Sequence, residues 1–347
     1  MPHNRWLGWD LGGAHLKAVQ LGGDGVEAVL QVPCPLWQGL DHLDRAIDVV
    51  LRQLGPRATR HAVTMTGEVA DVFEDRAQGV RALVERMQTR FAGEQIQVYA
   101  GRAGFLEPGV AAGAAELVAS VNWLASATLA ATRCAEGLLV DIGSTTTDLL
   151  PFSAGQVIVR GHTDYERLAA GELVYRGVVR TPMMALTRRV PFGGHWVPLM
   201  AEHFATTADI YRLTGDLPGH ADLMPSADGR AKTVPASAAR LARMVGLDAS
   251  AADPSAWQRL ARHLAEVQLR TLADACETLL ARGELTADAP LLGAGVGRFL
   301  VRQLAARLGR TYLGFATLFE GEPICNVDVA DCAPAVAVAR LALEQCT

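Results

Sequence analysis

The sequence is poor in aromatics, 6% of 347 residues, and holds no pair of cysteines in C-x-x-C spacing. Its six cysteines, Cys34, Cys134, Cys276, Cys325, Cys332 and Cys346, are scattered. That argues against a disulfide framework or a structural zinc site and fits a reduced, cytoplasmic compartment. No apolar stretch runs long enough to span a bilayer before Gly, Pro, Asn or a charge cuts it, so no membrane partner is expected. No signal-peptide pattern opens the chain, since Met1-Pro2-His3-Asn4-Arg5 leads straight into a strand. A net charge of −5 without a basic block excludes a general nucleic-acid binder. His203 and Asp209 could be ligands, but their spacing fits no metal motif, and helix packing is the better reading. What remains is a globular composition, half apolar and a fifth charged, long enough for two domains or two lobes of one. It leaves a homo-oligomer open.

The most informative stretch is Val140-Asp141-Ile142-Gly143-Ser144-Thr145-Thr146-Thr147-Asp148-Leu149-Leu150. An apolar strand from Gly137 ends in a carboxylate, then a glycine and four hydroxyl residues follow. Small residues let a backbone approach phosphate, and N–H and hydroxyl groups donate to its oxygens. The two acids could position a divalent cation sharing the phosphate charge. The alternative is a Ser/Thr-rich turn between strands. Trp6 to Val19 repeats the layout, with Asp10, Gly12 and Gly13 between two strands. A third piece, Pro290-Leu291-Leu292-Gly293-Ala294-Gly295-Val296-Gly297-Arg298-Phe299, reads as a strand, a glycine-rich turn and a helix. The likeness of residues 6–19 to 138–150 suggests two related halves.

Between these pieces, residues 26–32 read as a strand and residues 40–54 as a helix with one apolar face. His61 to Thr66 reads as a strand with Gly67-Glu68 at its C-terminal end, where open α/β sheets bind ligands. Glu68 is then a base or metal contact, or else an acid that starts a helix at Val69. Residues 109–133 form an Ala-rich helical segment containing Asn122, an asparagine that either caps or faces a cleft. Residues 163–182 show no clear period and suggest a loop-borne site. Residues 214–235, rich in Gly, Pro and Asp, read as a long loop or lid. Helices follow at 236–245, 257–282 and 334–345, the last with Asp331 placed to cap it.

The three pieces, in this order, resemble the phosphate-1, phosphate-2 and adenosine motifs of the actin, sugar-kinase and heat-shock ATPase superfamily. That resemblance implies an α/β, two-lobed actin-like ATPase (ribonuclease H-like) fold with a cleft between lobes. Residues 1–136 would form the first lobe, completed by a C-terminal helix at 331–347. Residues 137–330 would form the second, with an insertion near 160–250. Asp141 to Asp148, Thr163-Asp164, Gly171-Glu172-Leu173-Val174-Tyr175 and Arg180-Thr181-Pro182 look closer still to the hydantoinase/oxoprolinase-related branch. Within it, Met65 to Asp71, Asn122 to Ala125 and Glu202 to Thr206 resemble the subgroup linked to tetrahydromethanopterin-dependent one-carbon transfer. The first loop departs from that pattern at His15-Leu16, which leaves the role of His15 open.

Members of the subgroup join an aminomethyl-furan-methyl diphosphate to a phenol oxygen, releasing diphosphate, in methanofuran or methylofuran synthesis. The expected partners are therefore a small-molecule diphosphate and a phenolic acceptor. The resemblance implies Mg²⁺, held by Asp10, Asp141 or Asp148, and admits ATP or ADP. Gly12, Gly13, His15, Gly143, Ser144, Thr145, Thr146 and Thr147 would bind phosphate. Asp10, Lys17 and Asp141 would act in catalysis, with Glu68 or Asp164 as base. Asn122, Gly171, Glu172, Arg180, Gly293, Gly295 and Gly297 would line the nucleotide or substrate site. The alternatives are an ATP-dependent kinase or cyclic-amide hydrolase, and a nucleotide-gated binding protein.

Overall fold

The computed structural model, which describes residues 5–22, 25–54, 57–319 and 329–345, turns the first Asp-Gly stretch into strands β1 (Trp6–Leu11) and β2 (His15–Gly22). The chain continues through β3 (Gly25–Pro33), α1 (Asp41–Leu54), β4 (Arg60–Met65), α2 (Arg76–Arg90), β5 (Gln95–Tyr99) and β6 (Phe105–Leu106). Short helices α3 (Pro108–Ala111) and α4 (Ala115–Val118) precede α5 (Asn122–Arg133). Then come β7 (Glu136–Ile142), β8 (Thr147–Ser153), β9 (Gln156–Val157), α6 (Asp164–Ala170) and β10 (Leu173–Val174). The hairpin β11 (Arg189–Phe192) and β12 (His195–Pro198) leads to helices α7 (Thr207–Thr214), α8 (Val234–Met244) and α9 (Pro254–Leu280). The chain closes with β13 (Leu291–Ala294), α10 (Arg298–Arg307), β14 (Tyr312–Gly314) and α11 (Ala333–Gln345).

Two units emerge. The first takes the chain up to Glu136, Phe152–Asp164 and the part from Gly314 onward; the second takes Gly137–Pro151 and Tyr165–Leu313. Phe152–Asp164 groups with the first unit because Ala154 N–H donates to the Ala135 carbonyl and β9 lies beside α5. One sheet runs β3-β2-β1-β4-β5-β6, the other β10-β8-β7-β13-β14. In the first, β1 pairs antiparallel with β2 and parallel with β4. Strand for strand, β7, β8, β10, β13 and β14 occupy the places of β1 to β5. This repeated order is a ribonuclease H-like topology.

In the first unit, Leu7, Trp9 and Leu11 pack with Leu43, Ile47 and Val50 of α1 and with Val80, Leu83 and Met87 of α2. The opposite face meets α11, a helix of small residues buried nearly all round. The approach is so close that a Cβ on Gly8 would come within 2.0 Å of the Ala335 carbonyl oxygen. In the second unit, the 27-residue α9 extends about 40 Å and serves two cores. Trp257, Leu260 and Leu264 pack with Ile210 and Leu241, and Leu269, Leu272 and Cys276 with Leu138, Val140 and Ile142.

Several sequence expectations change in detail. The Ala-rich segment is broken into α3, α4 and α5, with Ser120 between the last two in a left-handed conformation at φ 54°. Residues 163–182 are not a plain loop, since α6 and β10 lie inside them. Loop 214–235 is tied down: Asp222 pairs with Arg212 and Lys232, and Asp228 with Arg240 and Arg243. Asp209 completes a capping box with Thr206 and holds the buried Arg240, consistent with helix packing. The described cysteines Cys34, Cys134, Cys276 and Cys332 are unbridged, and Cys325 and Cys346 lie outside the described residues. Among the described residues no helix is long and apolar enough to cross a membrane.

A buried polar chain crosses the first unit's core. Trp9 Nε1 donates to His61 Nδ1 at 3.0 Å, so the neutral ring carries its proton on Nε2 and donates to Glu94 at 2.8 Å. Arg57 grips both oxygens of Glu94, each at 2.5 Å. Burial lowers the His61 pKa below 6.5 despite Glu94, and a second proton would face the indole N–H. Arg57 pulls Glu94 down to about 2. Because the His61 pKa is depressed in the folded state, its contribution is complete above 6.5 and is lost as pH falls through the folded value. The melting temperature should therefore fall as pH drops below about 6.5. In His61→Gln, whose amide titrates no proton, that part of the slope should disappear; an unchanged slope would show that His61 is not its source.

Candidate active site

Asp10 stands near the end of β1, buried at 3% exposure. Its register places it opposite Lys17 on β2 and beside Thr64 on β4, so the three side chains share one face of the sheet. Lys17 Nζ is 3.7 Å from Asp10 Oδ2, and Asn122 Nδ2 approaches Asp10 Oδ1 at 3.4 Å. Asn122 also accepts the Trp123 N–H through its own Oδ1, so it begins α5 rather than lying inside a longer helix. The buried Thr64 hydroxyl, without a hydrogen-bond partner among the described residues, borders this group, and no sequence motif points to it. His15 is also buried on this face, at 7% exposure, while Gly12 and Gly13 are half-buried in the turn.

Beyond β4, residues Gly67–Val69 make a single 3-10 turn, and α2 begins only at Arg76 with Asp75 as its cap. Glu68 therefore starts no helix. Its carboxylate is 1% exposed; Oε1 accepts the Ser120 hydroxyl at 2.6 Å, and Oε2 is buried without a partner. Burial raises the Glu68 pKa above the usual carboxylate value. Asp164, the other candidate base, is ion-paired to Arg76 at 2.6 Å.

In the second unit, Gly143 to Thr146 form the turn between β7 and β8, and all four are half-buried. The turn is braced from below: the Gly143 carbonyl accepts Val178 N–H, and the Ser144 carbonyl accepts those of Val179 and Arg180. Gly177 is required there, since a Cβ would meet Ser144 and Thr145 backbone atoms at 2.4 Å. The exposed Arg180 reaches Thr145 Oγ1 at 3.5 Å, which is 3.4 Å from Ser144 Oγ. Hydroxyls and a guanidinium on one rigid turn suit an anion.

Other expected residues have structural employment. Thr147 is turned inward, its buried hydroxyl donating to the Arg176 carbonyl at 2.7 Å. Asp148 is held by the buried Arg167 at 2.6 Å. Glu172, fully buried, pairs with Arg282 at 2.6 Å, and Gly171 supplies the left-handed residue, φ 73°, that ends α6. Gly295 and Gly297 pack against β7: a Cβ would come within 2.4 Å of Asp141 Oδ1 at the first and of Ile142 Cγ2 at the second. A Cβ on Gly293 would strike the Tyr312 ring at 2.7 Å. The three glycines thus serve close packing, and Asp141 is set by the turn lying on it.

Among the described residues no group of three or more His, Cys, Asp or Glu side chains is arranged to hold a metal ion. Magnesium needs less, since it takes one or two carboxylates and fills its remaining positions with water and phosphate oxygens. Asp10 and Asp141 fit that demand. Asp148, committed to Arg167, does not.

The Hydantoinase/oxoprolinase model matches residues 59–343. The chain belongs to the hydantoinase/oxoprolinase family. Within this similarity lies a synthase of Methanocaldococcus jannaschii, 28% identical over 290 residues, covering 83% of this chain and 86% of that protein. It is named for a furan-2-yl methanamine that bears a γ-L-glutamylaminoethyl-phenoxymethyl group. A synthase of the same name from Methanococcus vannielii is 42% identical over 73 residues, 21% of this chain and 32% of that protein. The nucleotide-free structure of acetone carboxylase shares the fold, with a TM-score of 0.53 at 12% identity over 87% of this chain and 67% of that one.

If Asp148 serves Arg167 rather than a metal, Asp148→Ala should cost roughly 3 kcal/mol of stability by removing the carboxylate that faces a buried guanidinium. Chemical denaturation measures that loss directly. A fully stable Asp148→Ala protein would return the residue to the list of site acids.

Proposed function

We propose that this chain condenses an aminomethyl-furan-methyl diphosphate with the phenol oxygen of a tyrosine- or tyramine-type acceptor, releasing diphosphate. The observation that carries this reading is the similarity, over most of both chains, to a synthase named for a phenoxymethyl-furan. Such a product contains a bond from a phenol oxygen to a furan-methyl carbon. In the proposed step that bond forms, the carbon–oxygen bond to diphosphate breaks, and the phenol proton passes to a base. In this reading the reaction belongs to methanofuran or methylofuran synthesis and serves tetrahydromethanopterin-linked one-carbon metabolism in the cytoplasm.

A furan-methyl carbon can carry positive charge, so the main task is to stabilise the departing diphosphate. In this reading the hydroxyls of Ser144, Thr145 and Thr146, with Arg180, donate to its oxygens. A magnesium ion held by Asp10 or by Asp141 would neutralise part of the leaving group's charge when bound. Glu68 takes the phenol proton. Its raised pKa makes it a better base for a phenol near 10 than an ordinary carboxylate, and its second oxygen has no competing donor among the described residues.

The test is diphosphate release from furan-methyl diphosphate by the purified protein with Mg²⁺ and a phenolic acceptor. Release that depends on the acceptor and needs no ATP is the expected result. Silence there, with phosphate released from ATP, would overturn the transferase in favour of a kinase or hydrolase. Asp10→Ala and Asp141→Ala should each lower turnover by at least about 10²-fold while the melting temperature stays close to that of the unaltered protein. Full activity in either variant would remove that acid from the mechanism.

A further inference from the structure

We propose that Ser120 is a positioning residue: its left-handed backbone aims the hydroxyl at Glu68 and so sets when that buried carboxylate gives up and takes a proton. The inference rests on the reading of Glu68 as the phenol's base. Ser120 lies in the break between α4 and α5 at φ 54°, a conformation that residues with a side chain rarely adopt. Among the described residues only Ala154 shares that property outside glycine, and it lies in the turn leading to β9. Strained residues persist where the surroundings hold them, and they gather where geometry matters to function.

The receiving carboxylate is fixed just as firmly. Gly79 of α2 lies so close that a Cβ there would come within 2.4 Å of the Glu68 carbonyl oxygen and 2.7 Å of its Cα. On the other side, a Cβ on Gly67 would meet the Leu11 carbonyl oxygen at 2.9 Å. The backbone of Glu68 is thus clamped between β1 and α2. Its Oε1 accepts from Ser120 at 2.6 Å, while Oε2 is buried and without a partner. The other charged groups acting on Glu68 are Arg76 of α2 and Asp164 of α6, which oppose each other and are paired at 2.6 Å. Ser120 therefore contributes the one direct side-chain bond that favours the ionised form.

Glycine separates the hydroxyl from the backbone, because Ser120→Gly keeps the left-handed conformation without strain and removes only the donor. Asparagine, which tolerates the same conformation and can donate, is the conservative replacement. The first readout needs no substrate: the Glu68 carboxyl is titrated by infrared difference spectroscopy against Glu68→Gln. A bond from a neutral donor to a carboxylate favours the charged form, so Ser120→Gly should raise the Glu68 titration by about one pH unit. Ser120→Asn should recover part of that shift. In the condensation assay the acid limb of the pH–rate profile should move upward by the same amount. A Ser120→Gly protein whose Glu68 titrates as in the unaltered chain would overturn the proposal. Infrared titration that shifts while condensation is absent would sustain the Ser120–Glu68 link and refute the function assigned to it.

Discussion

A carboxylate taken out of water must find donors inside the protein, and how each acid meets that demand sorts the acids of this chain. Glu94 has both oxygens gripped by Arg57 and a further bond to His61. Asp148 has Arg167, Glu172 has Arg282, and Asp209 has Arg240 and Ser237. These are closed arrangements in which a guanidinium cancels the charge at short range, and each fastens one element to another. Glu68 is different. It is buried at 1% exposure, yet among the described residues its only direct side-chain donor is a neutral hydroxyl, and one oxygen has no partner there. Incomplete satisfaction of a buried charge is costly for stability and useful for proton transfer.

The second constraint is how closely backbones approach. Gly8 beneath Ala335, Gly177 beneath Ser144, and Gly295 and Gly297 against Ile142 all occupy places where a methyl group would collide with neighbouring atoms. At the β7–β8 turn these contacts, with the carbonyl bonds from Val178, Val179 and Arg180, fix the loop from beneath. The Ser144, Thr145 and Thr146 hydroxyls are consequently carried by a rigid support, the condition under which fixed dipoles stabilise developing charge without reorganising. Glycines that read in sequence as ligand-facing are, in space, what lets the supporting layers meet.

The parts of the fold and site legible in the sequence are those governed by local rules. An apolar run ending in Asp and Gly marks β1 and β7, because strand and turn signals lie within a few neighbouring positions. Long-range partnership was not legible. Nothing near Asp148 says that Arg167 will return to it through a helix, so it looked like a metal ligand. Thr147 looked like its hydroxyl neighbours until strand alternation turned it inward. Ser120 sits in an Ala-rich stretch whose local preference is helical throughout. The left-handed break at Ser120 between α4 and α5 has no local sequence pattern that marks it.

The repeated topology explains why one half of the molecule carries the candidate base. Asp10 and Asp141 occupy equivalent places near the ends of β1 and β7. The strands beside them, β4 and β13, are also equivalent, but the loops that follow diverge. After β4 the chain makes one 3-10 turn and buries Glu68; after β13 it makes a glycine turn that folds back onto Asp141 and Ile142. The same position in the fold thus yields a reactive carboxylate in one unit and a packing clamp in the other. A duplicated fold can specialise in this way because loops after the strands bear little of the core, so their chemistry is free to change while the sheets keep their order.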